Sequence, residues 1–154
     1  MFLIGRLFVI VFALIVASLA AGAAIAFGAI GPGWNADFGP VGAGIGFSIA
    51  VFFASSFTGA VGLLPAAILI ALAEAFKIRS LLVHLAAGVV LLVAGYYASG
   101  LPPPPYEESI DHPPPPISRA AEIVAAGGAV FGFAYWAIAG RNAGRWRERR
   151  QPSA

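Results

Sequence analysis

Residues 7–30 read LFVIVFALIVASLAAGAAIAFGAI, a stretch without one acidic, basic or amide side chain. As an α-helix it would measure about 36 Å at roughly 1.5 Å per residue, enough to cross a hydrocarbon core about 30 Å thick. Three runs of similar character follow, Val41 to Ala73, Leu81 to Ser99 and Ile123 to Ala139. Their lengths predict an all-α membrane protein with four transmembrane helices in an up-down bundle, over about 7–30, 46–75, 80–99 and 119–139. Arg6 ahead of an apolar stretch, with small residues at Ser18 and Ala20, has the outline of a secretory signal. The run continues to Ile30, well past the roughly 7–15 residues of a signal's apolar region, and so reads as a retained helix.

Composition points the same way. At 60% hydrophobic and 10% charged over 154 residues, the chain has too little polar surface to cover a water-soluble globule. The formal charge of +2 does not indicate a nucleic-acid partner, because the basic residues stand at the ends of apolar runs and not on a solvated face. The absence of cysteine excludes disulfides, thiolate metal sites and Cys nucleophiles.

The connections carry the remaining information. Gly31 to Pro40 has no Lys or Arg and reads as a loop that stops the first helix, with Trp34 at headgroup level. Glycines 42, 44 and 46 would each weaken a helix by about 1 kcal/mol relative to Ala, which places the second helix start near Gly46. Pro65 inside that helix predicts a kink. Ser80 and Ser118 are candidate N-caps for the third and fourth helices, with Glu122 favoured in the first turn of the fourth. Two four-proline blocks, Pro102 to Pro105 and Pro113 to Pro116, make the connection between helices three and four a stiff, Pro-rich loop. The tail 141–154 is basic.

Counting Lys and Arg orients the chain. Arg6, Lys77, Arg79, Arg141, Arg145, Arg147, Arg149 and Arg150 fall on one side of four crossings, and Arg119 alone falls on the other. The expectation is cytoplasmic N- and C-termini, with the tail arginines, Lys77 and Arg79 fixing topology and facing lipid headgroups.

Two segments carry a resemblance. Glu74-Ala75-Phe76-Lys77-Ile78-Arg79-Ser80 and Tyr135-Trp136-Ala137-Ile138-Ala139-Gly140-Arg141-Asn142-Ala143-Gly144 resemble stretches of small, uncharacterised four-span bacterial inner-membrane proteins. The resemblance implies a bacterial inner membrane and four spans. It brings no activity, cofactor or catalytic residue.

Candidate chemistry is sparse. Ala121, Ala125, Gly128 and Gly132 lie along one face of helix four, a small-residue stripe suited to close helix packing, either within the bundle or with another copy. Glu74 and His84 are the ionisable side chains nearest the membrane-embedded parts of helices two and three. They are candidate functional polar residues, although their place near the Lys77 and Arg79 level favours interfacial packing. Glu107, Glu108, Asp111 and His112 are of metal-ligating type but lack the spacing of an established site, so neither a metal nor a cofactor is expected. The serines and threonine of the apolar runs have no base at matching depth, which argues against an enzyme. The expected function is structural or accessory, exerted by packing with itself or with another membrane protein in the bilayer. The alternative is a small oligomeric transporter or channel subunit, which hydroxyls facing a shared cavity would favour.

Overall fold

The computed structural model describes residues 2–30, 34–100 and 117–144. Among them it contains four helices, α1 (Phe2–Ile30), α2 (Trp34–Phe76), α3 (Leu81–Ala98) and α4 (Arg119–Ile138), followed by a 3-10 turn at Gly140–Asn142, and no strand. All four are long and apolar enough to cross a membrane. The chain is an all-α, four-helix, multi-pass membrane protein.

Burial is inverted relative to a soluble fold. The residues turned inward are small, with Ala13, Ala17 and Ala21 of α1 all at 0% exposure, while Phe8 is 71% and Leu64 78% exposed. A surface of large apolar side chains over a core of Ala and Gly is stable where the solvent is itself hydrocarbon, because close backbone approach then drives association in place of the hydrophobic effect. α4 lies between α3 and α1, and α1 lies between α4 and α2, whereas α2 and α3 touch over far less surface. The bundle is tight on three sides and thin along the α2/α3 seam.

One expectation about α2 is corrected. Helical backbone begins at Trp34, well before Gly46, and is interrupted at Gly39 (φ 66°, ψ 171°), after which Pro40 opens the long segment. Proline at a first helical position loses no hydrogen bond, and glycine supplies the positive φ without steric cost. The glycine-rich turns stay helical because, next to a bilayer, an unpaired backbone costs more than the helix propensity of glycine. Gly22 of α1 abuts Ser55, so Ile30 falls beside roughly residue 47 and the turns from Pro40 to Gly46 extend past the end of α1. Pro65, by contrast, keeps helical φ and ψ; the non-helical residue inside α2 is Gly39.

The caps divide in the same way. Ser118 accepts from Ala121 N at 3.2 Å and Glu122 occupies the first turn of α4, as read from the sequence. Ser80 holds the N-cap position of α3 without a side-chain cap bond. The tail arginines 145, 147, 149 and 150, and the proline blocks with Glu107, Glu108, Asp111 and His112, lie outside the described residues.

Candidate functional site

The end of α2 shapes the site. Lys77 adopts φ 54°, and Ile78 N donates to Ala73 O at 2.9 Å, a Schellman closure with lysine where glycine is usual. Glu74 stands in the last turn of α2, just before this closure. There Arg6 Nε donates to Glu74 Oε1 at 2.9 Å, Arg6 Nη2 forms an ion pair with the same oxygen, and Gly144 N donates to Oε2 at 2.8 Å. Both carboxylate oxygens are occupied, and the two side chains are only 15% (Arg6) and 13% (Glu74) exposed.

The remaining bonds close the end of α4. Arg6 Nη2 donates to the O of the C-cap residue Ala139 at 2.8 Å, which also accepts from Asn142 N, and Arg79 Nε donates to Ala143 O, past the 3-10 turn, at 2.9 Å. Cations at this terminus also complement the helix dipole. Trp136 Nε1 donates to Arg79 O at 2.8 Å, which ties the α2–α3 turn to α4. Gly144 has φ 73°, and a Cβ there would lie 2.5 Å from Lys77 Cγ. Segments 74–80 and 135–144 therefore fold into one polar lock, joined by Arg6.

His84 sits beside this lock. Its ring is stacked on Tyr135 with centroids 5.9 Å apart and planes 21° from parallel. Nδ1 lies 2.8 Å from Ser80 O; because a carbonyl only accepts, Nδ1 carries the proton and a neutral ring presents a lone pair at Nε2. Nε2 is buried without a hydrogen-bond partner among the described residues, and a Cβ on Gly140 would stand 2.7 Å from it. None of the described bonds joins Glu74 to His84, so the two candidate polar residues belong to adjacent but separate arrangements.

The small-residue stripe is spent inside the bundle. A Cβ on Gly128 would lie 2.5 Å from Gly88 O, and one on Gly132 would overlap His84 O and lie 2.9 Å from Leu85 Cα. Ala121 is buried and Ala125 half-buried. On the other side of α4, Gly127 faces Ile25 of α1. Gly128 and Gly132 thus form the crossing point of α3 and α4.

The hydroxyls of α2 mostly turn inward on their own helix. Ser48, Ser56 and Thr58 donate to the carbonyls of Gly44, Phe52 and Ala54 at 2.8 to 2.9 Å. Ser55 differs, with a buried Oγ that lacks a partner among the described residues. It borders a half-open groove of about 390 Å³ between α1 and α2, which Ser18, Ser56 and Thr58 also line. A second, half-open cleft of about 190 Å³ lies along the α2/α3 seam, closed at its back by Phe131 and Tyr135 of α4.

Sequence reasoning found Glu74 and His84 but read Arg6 as a topology marker alone. The available signal was that Arg6 and Glu74 fall on the same side of the bilayer at similar depth. No family model matches the chain, and no curated protein and no solved structure is significantly similar to it.

Proposed function

We propose that the protein is a structural or accessory component of a bacterial inner membrane, with both termini in the cytoplasm, acting by packing with itself or with another membrane protein. The observation that supports this most is the use made of its polar groups. Both oxygens of Glu74 and the donors of Arg6 join helices to one another at the basic end. A proton-coupled transporter places such a carboxylate near the midplane, where it must be released and recaptured. Extraction in mild detergent followed by cross-linking and mass determination tests the reading: a homo-oligomer or a co-purifying membrane protein is expected, and a lone monomer from native membrane counts against it.

The runner-up, a small oligomeric transporter or channel subunit, has one observation in its favour, the unpartnered Ser55 hydroxyl beside the α1/α2 groove. Proteoliposomes decide between the two. The expected result is no pH-driven flux; a flux that vanishes in Glu74→Gln or Ser55→Ala would promote the transporter.

A further inference from the structure

Gly144, the last described residue, is pinned against the α2–α3 turn. Its N–H donates to Glu74 Oε2 at 2.8 Å, and the carbonyl of Ala143 before it accepts from Arg79 Nε at 2.9 Å. A Cβ on Gly144 would stand 2.5 Å from Lys77 Cγ and 3.4 Å from Glu74 O. The chain neighbours of these two residues, Ile78 and Ala73, line the half-open cleft on the α2/α3 seam. The backbone therefore leaves the bundle at the basic mouth of that cleft. Among residues 145–154, Trp146 carries the one large apolar side chain, and the others are charged, polar or small. Two residues span at most about 7 Å, so Trp146 cannot stand far from the mouth. The cleft holds about 190 Å³, with Leu69, Val83 and Leu91 among its walls and Phe131 and Tyr135 behind. Wall atoms that face a gap lack dispersion partners, and a side chain tethered at the mouth fills the gap with little further loss of freedom. An indole has an apolar body and a polar N–H at one edge, which suits a slot that is apolar within and opens at headgroup level.

We propose that Trp146 docks into the basic end of the α2/α3 cleft, its ring between Ala73, Ile78 and Val83, with Arg145 and Arg147 on either side of it at headgroup level. The tail is then a plug for the seam that α2 and α3 leave thin, as well as a topology signal. Because the plug belongs to the same chain, it stands or falls independently of any protein partner in the accessory role proposed above.

The test places the photoreactive aromatic p-benzoylphenylalanine at Trp146 in the otherwise wild-type full chain, reconstituted in vesicles of phosphatidylethanolamine and phosphatidylglycerol. After irradiation the monomer is isolated and its cross-linked peptides are mapped by mass spectrometry. Products within the same chain are expected on peptides containing Ala73, Ile78 or Val83, and none at Leu91, which lies about 12 Å further along α3 than Val83. The same group at Arg147 is expected to label lipid and not the cleft. Val83→Phe, at a position that lines the mouth and is 47% exposed, fills the space without altering charge and is expected to remove most of the cleft products while the melting temperature is retained. Products on lipid alone overturn the proposal, as do products that join two copies, which would assign the groove to a neighbouring chain. Equal cleft labelling from positions 146 and 147 would mean nearness without docking and overturns it too, as does a Val83→Phe variant whose cleft products are undiminished.

Discussion

Arg6 and Glu74 form a charge pair with little access to water, and the cost of losing one partner exceeds that of an exposed pair because the other charge stays behind. Arg6→Gln and Glu74→Gln are each expected to lower stability in detergent by about 2 kcal/mol, below the loss for a fully buried pair. The double variant should lose less than the sum, since the second change removes a stranded charge; thermal unfolding of all four proteins measures this, and strictly additive losses would disprove the coupling. Gly140 offers a second test. Gly140→Ala drives a methyl group against His84 Nε2 and should cost about 1–3 kcal/mol, with much of the loss recovered in combination with His84→Ala. Recovery would show that the ring, not the turn, needs the glycine. Such contacts were not legible in the chain alone: Arg6 and Glu74 are 68 positions apart, and apolar periodicity says which face of a helix is buried without saying which residue of another helix stands opposite.

The α3–α4 crossing depends on three residues without side chains, Gly88, Gly128 and Gly132, whose backbones meet directly. Gly128→Leu or Gly132→Leu should cost more than about 3 kcal/mol, because the helices must separate along their length and cannot adjust one rotamer. Gly44 of α2 faces open space, with no atom within 4 Å of where a Cβ would stand, and Gly44→Ala should stabilise the helix by up to about 1 kcal/mol. Unfolding in detergent compares them, and similar effects at Gly44 and Gly132 would contradict the crossing. Helix number and most boundaries were readable because a long uncharged run next to lipid has few alternatives. The start of α2 was not, since propensity argued against helix at glycines 42, 44 and 46 while backbone satisfaction argued for it, and the second effect is larger.

At the scale of the molecule, Arg6, Lys77, Arg79 and Arg141 gather at one end while Arg119 begins α4 at the other. The proposed orientation places the first group in the cytoplasm. Since the natural chain has no cysteine, single cysteines can be read without background. Cysteine at Arg141 should react with a membrane-impermeant maleimide only after the cells are opened, and cysteine at Tyr106 should react in cells with a permeabilised outer membrane. The reverse pattern would invert the topology, and a phosphatase fused after Arg150 would then be active.

The lock also imposes an order in time. Gly144 follows Glu74 by 70 positions, and Ala139 follows Arg6 by 133, so the partners that seal this end are made long after the charges they bind. At roughly 5–20 residues per second, the carboxylate waits on the order of 4–14 s for its final donor. Over that interval α3 and α4 are synthesised while the basic end stays unsealed. A stop codon placed before Ala139 should therefore yield a short-lived fragment. Pulse-chase labelling would show it disappearing while the longer chain persists, making closure of the basic end the step that protects the chain from degradation.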